Sequence, residues 1–417
     1  MCDRREDAMQ FTTHDFRPVI LGGDITAYSL VRTFHEAYGL QPLVVNMTRS
    51  GPIALSRLVE HRYVENLEQE QVLLDTLVSI GREYESTGIK LLVIGCGDWY
   101  VRILIENKDL LSPYYLIPYI DEDLLNRIVR KDGFYEILAD LGIAHPGTFV
   151  YDVAEDTPLD FDFPFPVVAK PADSALYHYA QFPGKKKVFI LDSRAELEEV
   201  LRNVRSSTYD YKFLIQEFIP GADTGMRVLT CYSDASGTVR FASAGHTLLE
   251  EHVPSAIGNP CAIISEPNER IVADATAFLE HIGYTGFSNF DVKYDPRDGS
   301  YKFFEINVRL GRSNFYNTAA GYNVAEWMVR DLVRNEPMEG VQVATNEHLF
   351  TFVPKYVISR YVADDAMRER AMGLFREGRW SDPQVYAPDL TLKRRAYNAA
   401  YHLNQVRKFH RYLGRQR

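Results

Sequence analysis

Cysteine is scarce, with four in 417 residues at positions 2, 96, 231 and 261. Their scatter leaves no pairing pattern for a disulfide framework or a zinc site. Cys96 and Cys231 sit in apolar runs and read as small buried side chains. Long apolar runs are missing too: none reaches the about 20 residues that a membrane-spanning helix needs, and no apolar segment follows the charged stretch Met1–Asp7 as a signal peptide requires. The expected location is therefore the cytoplasm. Acidic residues are missing from one end: Lys393 to Arg417 holds eight Lys or Arg and no Asp or Glu, so the net charge of −11 conceals −19 on residues 1–392. An acidic body argues against nucleic acid as the main partner. The basic tail suits docking on an anionic membrane surface, here the inner face, or on an anionic substrate. It suits also a terminal helix that packs Leu403, Val406, Phe409 and Leu413 on the body and leaves its arginines in water, since helical apolar spacing is usually core. Finally, Gly22-Gly23-Asp24 lacks the G-x-G-x-x-G pattern, which makes it a weak dinucleotide fingerprint.

What is present is the composition of a folded protein: 46% hydrophobic, 25% charged and 12% aromatic, with length for two or three domains. The most informative segment runs from Phe287 to Arg309. Two apolar or alternating flanks enclose Asp295-Pro-Arg-Asp-Gly-Ser300, which is turn chemistry, so a hairpin is expected. Strand side chains alternate, placing Glu305, Asn307 and Arg309 on one face. The midpoint of Asp291 and Glu305 is 298, inside the turn, so antiparallel pairing sets these two carboxylates opposite each other. Facing carboxylates repel unless a cation lies between them. Two carboxylates and an amide oxygen suit Mg²⁺, whose other ligands come from water and nucleotide phosphates.

The chain ahead of this hairpin alternates strand and helix. Strands at Pro18–Gly22, Leu43–Asn46, Lys90–Gly95 and Tyr115–Pro118, with a helix Ile25–Tyr38 between an Asp24 cap and a Gly39 stop, read as a parallel βαβ domain over residues 1–120. From residue 121 the pattern is α+β. A helix Asp123–Leu141 carries Lys131; the strand Phe165–Pro171 ends on Lys170; the polar stretch Ala172–Lys187, with Ser174, Gly184 and three lysines, reads as a flap over phosphates. Expected boundaries are 121–211 for a first subdomain with the flap, 212–340 for a second with the hairpin, and 341–417 for an extension ending in the basic helix.

In order and approximate spacing, Lys131, Val167-Val-Ala-Lys170-Pro, Gln216-Glu-Phe-Ile-Pro-Gly-Ala-Asp223, Asp291 and Glu305-Ile-Asn-Val-Arg309 resemble the ATP-grasp enzymes. The front domain is similar to the one that precedes the core of carboxylate–amine ligases. More narrowly, Ile20–Tyr28, Phe34–Gly39, Pro118–Asp121, Phe218–Gly221, Gly245–Glu250, Tyr284–Phe287 and Arg309–Ser313 resemble the bacterial D-aspartate ligases, a likeness covering most of residues 18–380. The resemblance implies an ATP- and Mg²⁺-dependent enzyme that joins the β-carboxylate of D-aspartate to the lysine amine of a muramyl peptide, the alternatives being a ligase for a different amino acid or amine on the same scaffold and a non-catalytic nucleotide-binding protein, which would be expected to lack a metal carboxylate or the cationic face. It implies that Lys131 and Lys170 contact ATP phosphates, that Gln216 and the backbone of Glu217 and Ile219 bind adenine, that Asp223 binds ribose, and that Asp291, Glu305 and Asn307 hold the metal.

The chemistry fits these residue types. A carboxylate resists amines until ATP turns it into an acyl phosphate, so the protein positions groups and neutralises charge. Arg309, aimed from the metal-ligand face, is the candidate catalytic cation. Arg227 and Arg312 are candidates for the second carboxylate of the amino acid, because a guanidinium matches a carboxylate bidentately. His246 either orients substrate, helps remove a proton from the attacking ammonium, or serves the core. Ser313 and Asn314 are candidates for hydrogen bonds to substrate.

Overall fold

The computed structural model describes residues 10–49, 51–129, 131–172, 177, 180–253 and 256–414. Three sheets organise it. The first holds β1 (Phe16–Leu21), β2 (Leu43–Asn46), β3 (Glu60–Tyr63), β4 (Lys90–Gly95) and β5 (Tyr115–Leu116), all parallel in the order β3-β2-β1-β4-β5. Its inner strands β2, β1 and β4 are largely buried and rich in Val, Ile and Leu because helices cover both faces of a parallel sheet, while the edge strand β3 is polar and half-exposed. The helix Ile25–Tyr38 starts where expected: Asp24 accepts from the Thr26 and Ala27 amides at 3.0 and 3.2 Å, and Gly39 closes it in the left-handed conformation. The sheet order reverses between β1 and β4, which leaves a crevice beyond their carboxyl ends. Gly22 and Cys96 line it so closely that a Cβ on Gly22, whose φ is 137°, would sit 2.9 Å from the Cys96 Cβ.

The second sheet is antiparallel, β6 (Thr148–Asp152), β7 (Val167–Pro171), β8 (Phe189–Leu191) and β9 (Lys212–Glu217), in the order β6-β9-β7-β8. It is reached through two helices, Glu122–Val129 and Lys131–Asp140, where one was expected. Gly133 lies so close to the Arg127 carbonyl that a Cβ would overlap it, which fits a sharp bend between them. Part of the expected flap, including Ser174, lies outside the described residues, as does the side chain of Lys131.

The third sheet contains β10 (Met226–Ser233), β11 (Val239–Glu250), β12 (Pro260–Ser265), β13 (Gly286–Asp295), β14 (Ser300–Asn307), β15 (Gln342–Val343), β16 (His348–Thr351) and β17 (Trp380–Ser381). Its order is β14-β13-β10-β11-β12-β16-β17, with β15 against β11. The sheets divide the chain a little differently from the sequence boundaries. β9 is bonded to β6 and β7, and β16 extends the third sheet from beyond residue 340. One face of this sheet is sealed by the helix Glu269–His281, whose Phe278 packs edge-on against Phe290 at 5.7 Å. The polar residues of the hairpin are on the other face.

The chain ends in the helix Leu392–Tyr412, capped by Thr391. Phe409 is buried against Tyr361, with Val406 and Leu413 beside it, but Leu403 is 62% exposed and Arg394 is fully buried. The expected apolar-in, arginine-out arrangement therefore holds at one end of the helix only. The cause is a buried acceptor: Asp389, itself inaccessible, holds Arg394 Nε at 3.4 Å while also accepting from Tyr28 and Ser56 at 2.9 Å each.

Candidate active site

The hairpin forms with the expected register. Asp291 pairs with Glu305 and Asn289 with Asn307, while the next pair is Val292 with Phe303, so Phe304 is an extra residue in a bulge. The bulge has a purpose in packing. The Phe304 carbonyl accepts from the Tyr135 hydroxyl at 2.6 Å, the Phe303 amide donates to Ala144 at 2.9 Å, and the Phe304 ring lies 6.0 Å from Lys170 Nζ. The carboxylate pair of one subdomain and the lysine of the other are thereby brought together.

The electrostatics of the two carboxylates follow from their burial and their closeness. Burial, and then the facing Glu305, push the Asp291 carboxyl up to about 7, while Arg309, the Asn307 amide and Lys170 pull it back only in part. Asn307 Nδ2 lies 3.3 Å from Asp291 Oδ2. Two carboxylates set opposite each other on paired strands, one of them raised by the charge of the other, fit a divalent cation. Mg²⁺ suits the donor set, since two carboxylates and one amide leave positions for phosphate and water.

Behind the pair lies a second polar group. Gln216 is 1% exposed; its Nε2 donates to Thr148 at 2.7 Å, and its Oε1 has no hydrogen-bond partner among the described residues. Such a buried acceptor is costly unless a donor meets it. The Glu217 side chain is taken up elsewhere, in an ion-pair group with Arg297 at 2.6 Å and Lys302 at 3.7 Å that anchors the hairpin turn to β9. The Ile219 carbonyl accepts from Lys293 at 2.9 Å. Asp223 Oδ2 accepts from the Glu250 amide at 3.0 Å and from His252 Nε2 at 2.9 Å. A cavity of about 220 Å³ opens beside Asp223, bounded by Thr224, Leu248, His252, Tyr361 and Leu413. Glu250 belongs to the same group: burial and the charges of Asp223 and Asp291 raise its carboxyl to about 8.

Arg309 follows β14 and reaches out of the core. It binds Asp98 through Nε at 2.7 Å and Nη2 at 3.1 Å, at the start of the helix that follows β4. The cation that completes the hairpin face is thus held at the crevice of the first sheet. Arg312, three residues on, pairs with the buried Glu251 at 3.2 Å, and Ser313 and Asn314 are buried in the same turn.

Arg227 and His246 are not brought to this face. In the antiparallel register they pair with each other and with Val292, neighbour of Asp291, so they point to the opposite side of the sheet. There His246 Nδ1 meets Glu266 at 2.9 Å, Arg370 meets it at 2.5 Å, and Arg227 Nε stands 3.8 Å away. Sequence reasoning missed Asp98, Glu250, Lys293 and Tyr135. Lys293 carried a signal, being two residues from Asp291 and so on the same face. Asp98 carried none, because it meets Arg309 only through the fold.

Comparison with known proteins agrees with this geometry. Residues 188–338 match the family model described as carbamoyl-phosphate synthase L chain, ATP binding domain. Among solved structures, the L-amino acid ligase of Bacillus licheniformis superposes with a TM-score of 0.55, covering 77% of this chain and 75% of that one at 17% identity. The biotin carboxylase domain of the 2-oxoglutarate carboxylase of Hydrogenobacter thermophilus, in complex with MgADP, ADP and bicarbonate, gives 0.58 over 81% and 73% at 12% identity. These likenesses define the fold as ATP-grasp. The D-aspartate ligase of Enterococcus faecium (strain Aus0004) is 36% identical over 410 residues, spanning 96% of this chain and 97% of that one. The chain belongs to the D-aspartate ligase family of ATP-dependent carboxylate–amine ligases.

Proposed function

We propose that this enzyme uses ATP and Mg²⁺ to activate the β-carboxylate of D-aspartate and joins it to the lysine side-chain amine of a peptidoglycan precursor. The observation that carries the proposal is the facing Asp291–Glu305 pair, set beside Lys170 and followed by an arginine held at the crevice of the first sheet. The 36% identity with a D-aspartate ligase supports the choice of amino acid and of a muramyl peptide acceptor.

In this reading Asp291, Glu305 and Asn307 hold Mg²⁺, which when bound neutralises phosphate charge during transfer. That a relative in fold carries MgADP supports the same pairing of ion and nucleotide. Lys170 and Lys131 serve the phosphates. The unpartnered Gln216 Oε1 is an acceptor suited to an adenine amino group, beside the backbone of Glu217 and Ile219. Asp223 serves the ribose. Arg309 orients the carboxylate under activation and stabilises the oxyanion formed when the amine attacks the acyl phosphate. Arg312, with Ser313 and Asn314, faces the remaining groups of the amino acid. Arg227 and His246, whose residue types suit substrate, fit better as braces of β10 to β12 through Glu266. Among the described residues no helix is long and apolar enough to cross a membrane.

The test is ADP release by purified protein with Mg²⁺, ATP and each D- and L-amino acid, with and without a lysine-containing muramyl pentapeptide, with the product identified by mass. D-Aspartate is expected to stimulate turnover with the acceptor present and to add one aspartyl residue to it. Turnover with L-aspartate and none with D-aspartate overturns the substrate. No stimulation by any amino acid overturns the reaction.

A further inference from the structure

Over its first turns the helix Leu392–Tyr412 is inside out, whereas its last turns bury Phe409 on the core. Its inner face is polar: Arg394 Nη1 donates to the Pro52 carbonyl at 2.7 Å, Asn398 Nδ2 to the Gln384 carbonyl at 2.9 Å, and His402 Nε2 lies 2.8 Å from Asp382. Arg394, Asn398 and Gln405 are at most 5% exposed. Its outer face is apolar from Leu392 to Leu403, with exposed Asn404 and His410 beyond. Leu392 and Leu403 are 82% and 62% exposed, and Ala396, Ala399 and Ala400 are exposed between them. Leu392 and Leu403 are about three turns apart, so they fall on one stripe about 16 Å long. The directional bonds of the inner face fix the rotation of the helix, so it cannot roll to bury these leucines.

The flanks of the stripe are basic. By helical position, exposed Lys393, Arg407 and Arg411 line one edge and exposed Arg395 the other. Among the described residues none of these four forms an ion pair, and the helix contains no Asp or Glu. The charge of −19 lies on the residues that precede Lys393.

We propose that the outer face of this helix docks on an anionic lipid surface, with Leu392 and Leu403 at the level of the headgroups and the four cations against lipid phosphate. A basic-flanked apolar stripe on a helix lying parallel to the surface is the geometry such binding requires. Charge complementarity favours lipid over an uncharged protein partner, and the exposed leucines favour lipid over a soluble polyanion. This proposal goes beyond the ligase reading and does not depend on it.

Co-sedimentation of the full chain with vesicles tests it. Binding is expected to phosphatidylcholine vesicles containing phosphatidylglycerol and not to phosphatidylcholine alone, and it should weaken in high salt. Each Lys or Arg near an anionic surface is worth about fivefold, so R407E/R411E should lower the partition coefficient by about 25-fold or more. L392S/L403S should lower it severalfold. Ligation of soluble acceptor by both variants should be unchanged, with native circular dichroism. Equal binding to both kinds of vesicle overturns the proposal, as does retention of vesicle binding by folded R407E/R411E. If L392S/L403S binds both vesicles and heparin as well as the parent does, the face recognises polyanions in solution and the lipid proposal fails.

Discussion

Arg309 and Asp98 form a two-point ion pair, 2.7 and 3.1 Å, between residues separated by 211 positions in the chain. It is the contact through which the ATP-grasp core and the parallel-sheet domain share a charged group of the site. Asp98 is mostly exposed, so its pairing contributes little to stability by itself. Its effect is on where the guanidinium points. Asp98→Asn should therefore leave the melting temperature within a few degrees and lower kcat about tenfold, with the KM for ATP unchanged. Arg309→Ala should lower kcat by about 10²- to 10³-fold, as loss of a preorganised cation does. If Asp98→Asn changed the KM for ATP and spared kcat, the pair would not serve the chemical step.

Glu305→Gln tests the metal assignment from two sides. It removes the charge facing Asp291, so the metal-free protein should melt higher than the parent. It also removes a ligand, so addition of Mg²⁺ should no longer raise the melting temperature, and turnover should fall by at least about 10²-fold. A variant that keeps both the Mg²⁺ shift and its activity would place the ion elsewhere.

The hairpin is legible in the sequence because period-two alternation and turn chemistry are local and set the Asp291–Glu305 register by themselves. The bulge at Phe304 was not legible, since it arises from Tyr135 and Ala144 pressing on that strand from another part of the chain. The same distinction explains Arg227 and His246. Their residue types suggest substrate recognition, but each is one residue out of phase with the site face, and Glu266 claims both from β12's exit. In the tail, helical apolar spacing predicts a packed core face, beside the alternative of a basic docking surface. Asp389 reverses that packing by drawing Arg394 inward, a pairing that spacing cannot reveal.

Glu266 sets an acid limit on stability. Burial alone would raise its carboxyl, but His246 and Arg370 outweigh burial and hold it at about 2. A carboxylate depressed in this way contributes stability that is complete above its unfolded value and is lost as pH falls through the folded one. The melting temperature should be level near neutrality and fall between about pH 4.5 and 2. Glu266→Gln should cost on the order of 2 kcal/mol at pH 7 and flatten that acid limb. A full acid limb in the variant would assign it to other carboxylates.

Arg394 is the strongest test of how the chain end is fastened. It is fully buried, its guanidinium lies 3.9 Å from the centre of the Tyr28 ring, and Asp389 accepts from Tyr28, Ser56 and the Arg57 amide on the same side. Removing one partner of a buried pair leaves the other uncompensated, at a cost of about 3 to 5 kcal/mol. Because the Arg394 bonds run to the first-sheet domain, the loss should fall on the docking of the terminal helix more than on the ATP-grasp sheets. Arg394→Met is therefore expected to expose the helix to limited proteolysis after residue 390 while the hairpin amides stay protected from hydrogen exchange. Asp389→Asn in the same chain should restore part of the stability, since it removes the stranded charge. If the double variant were less stable than Arg394→Met alone, the cost would lie in lost packing of the arginine stem on Tyr28 instead of in the unpaired carboxylate.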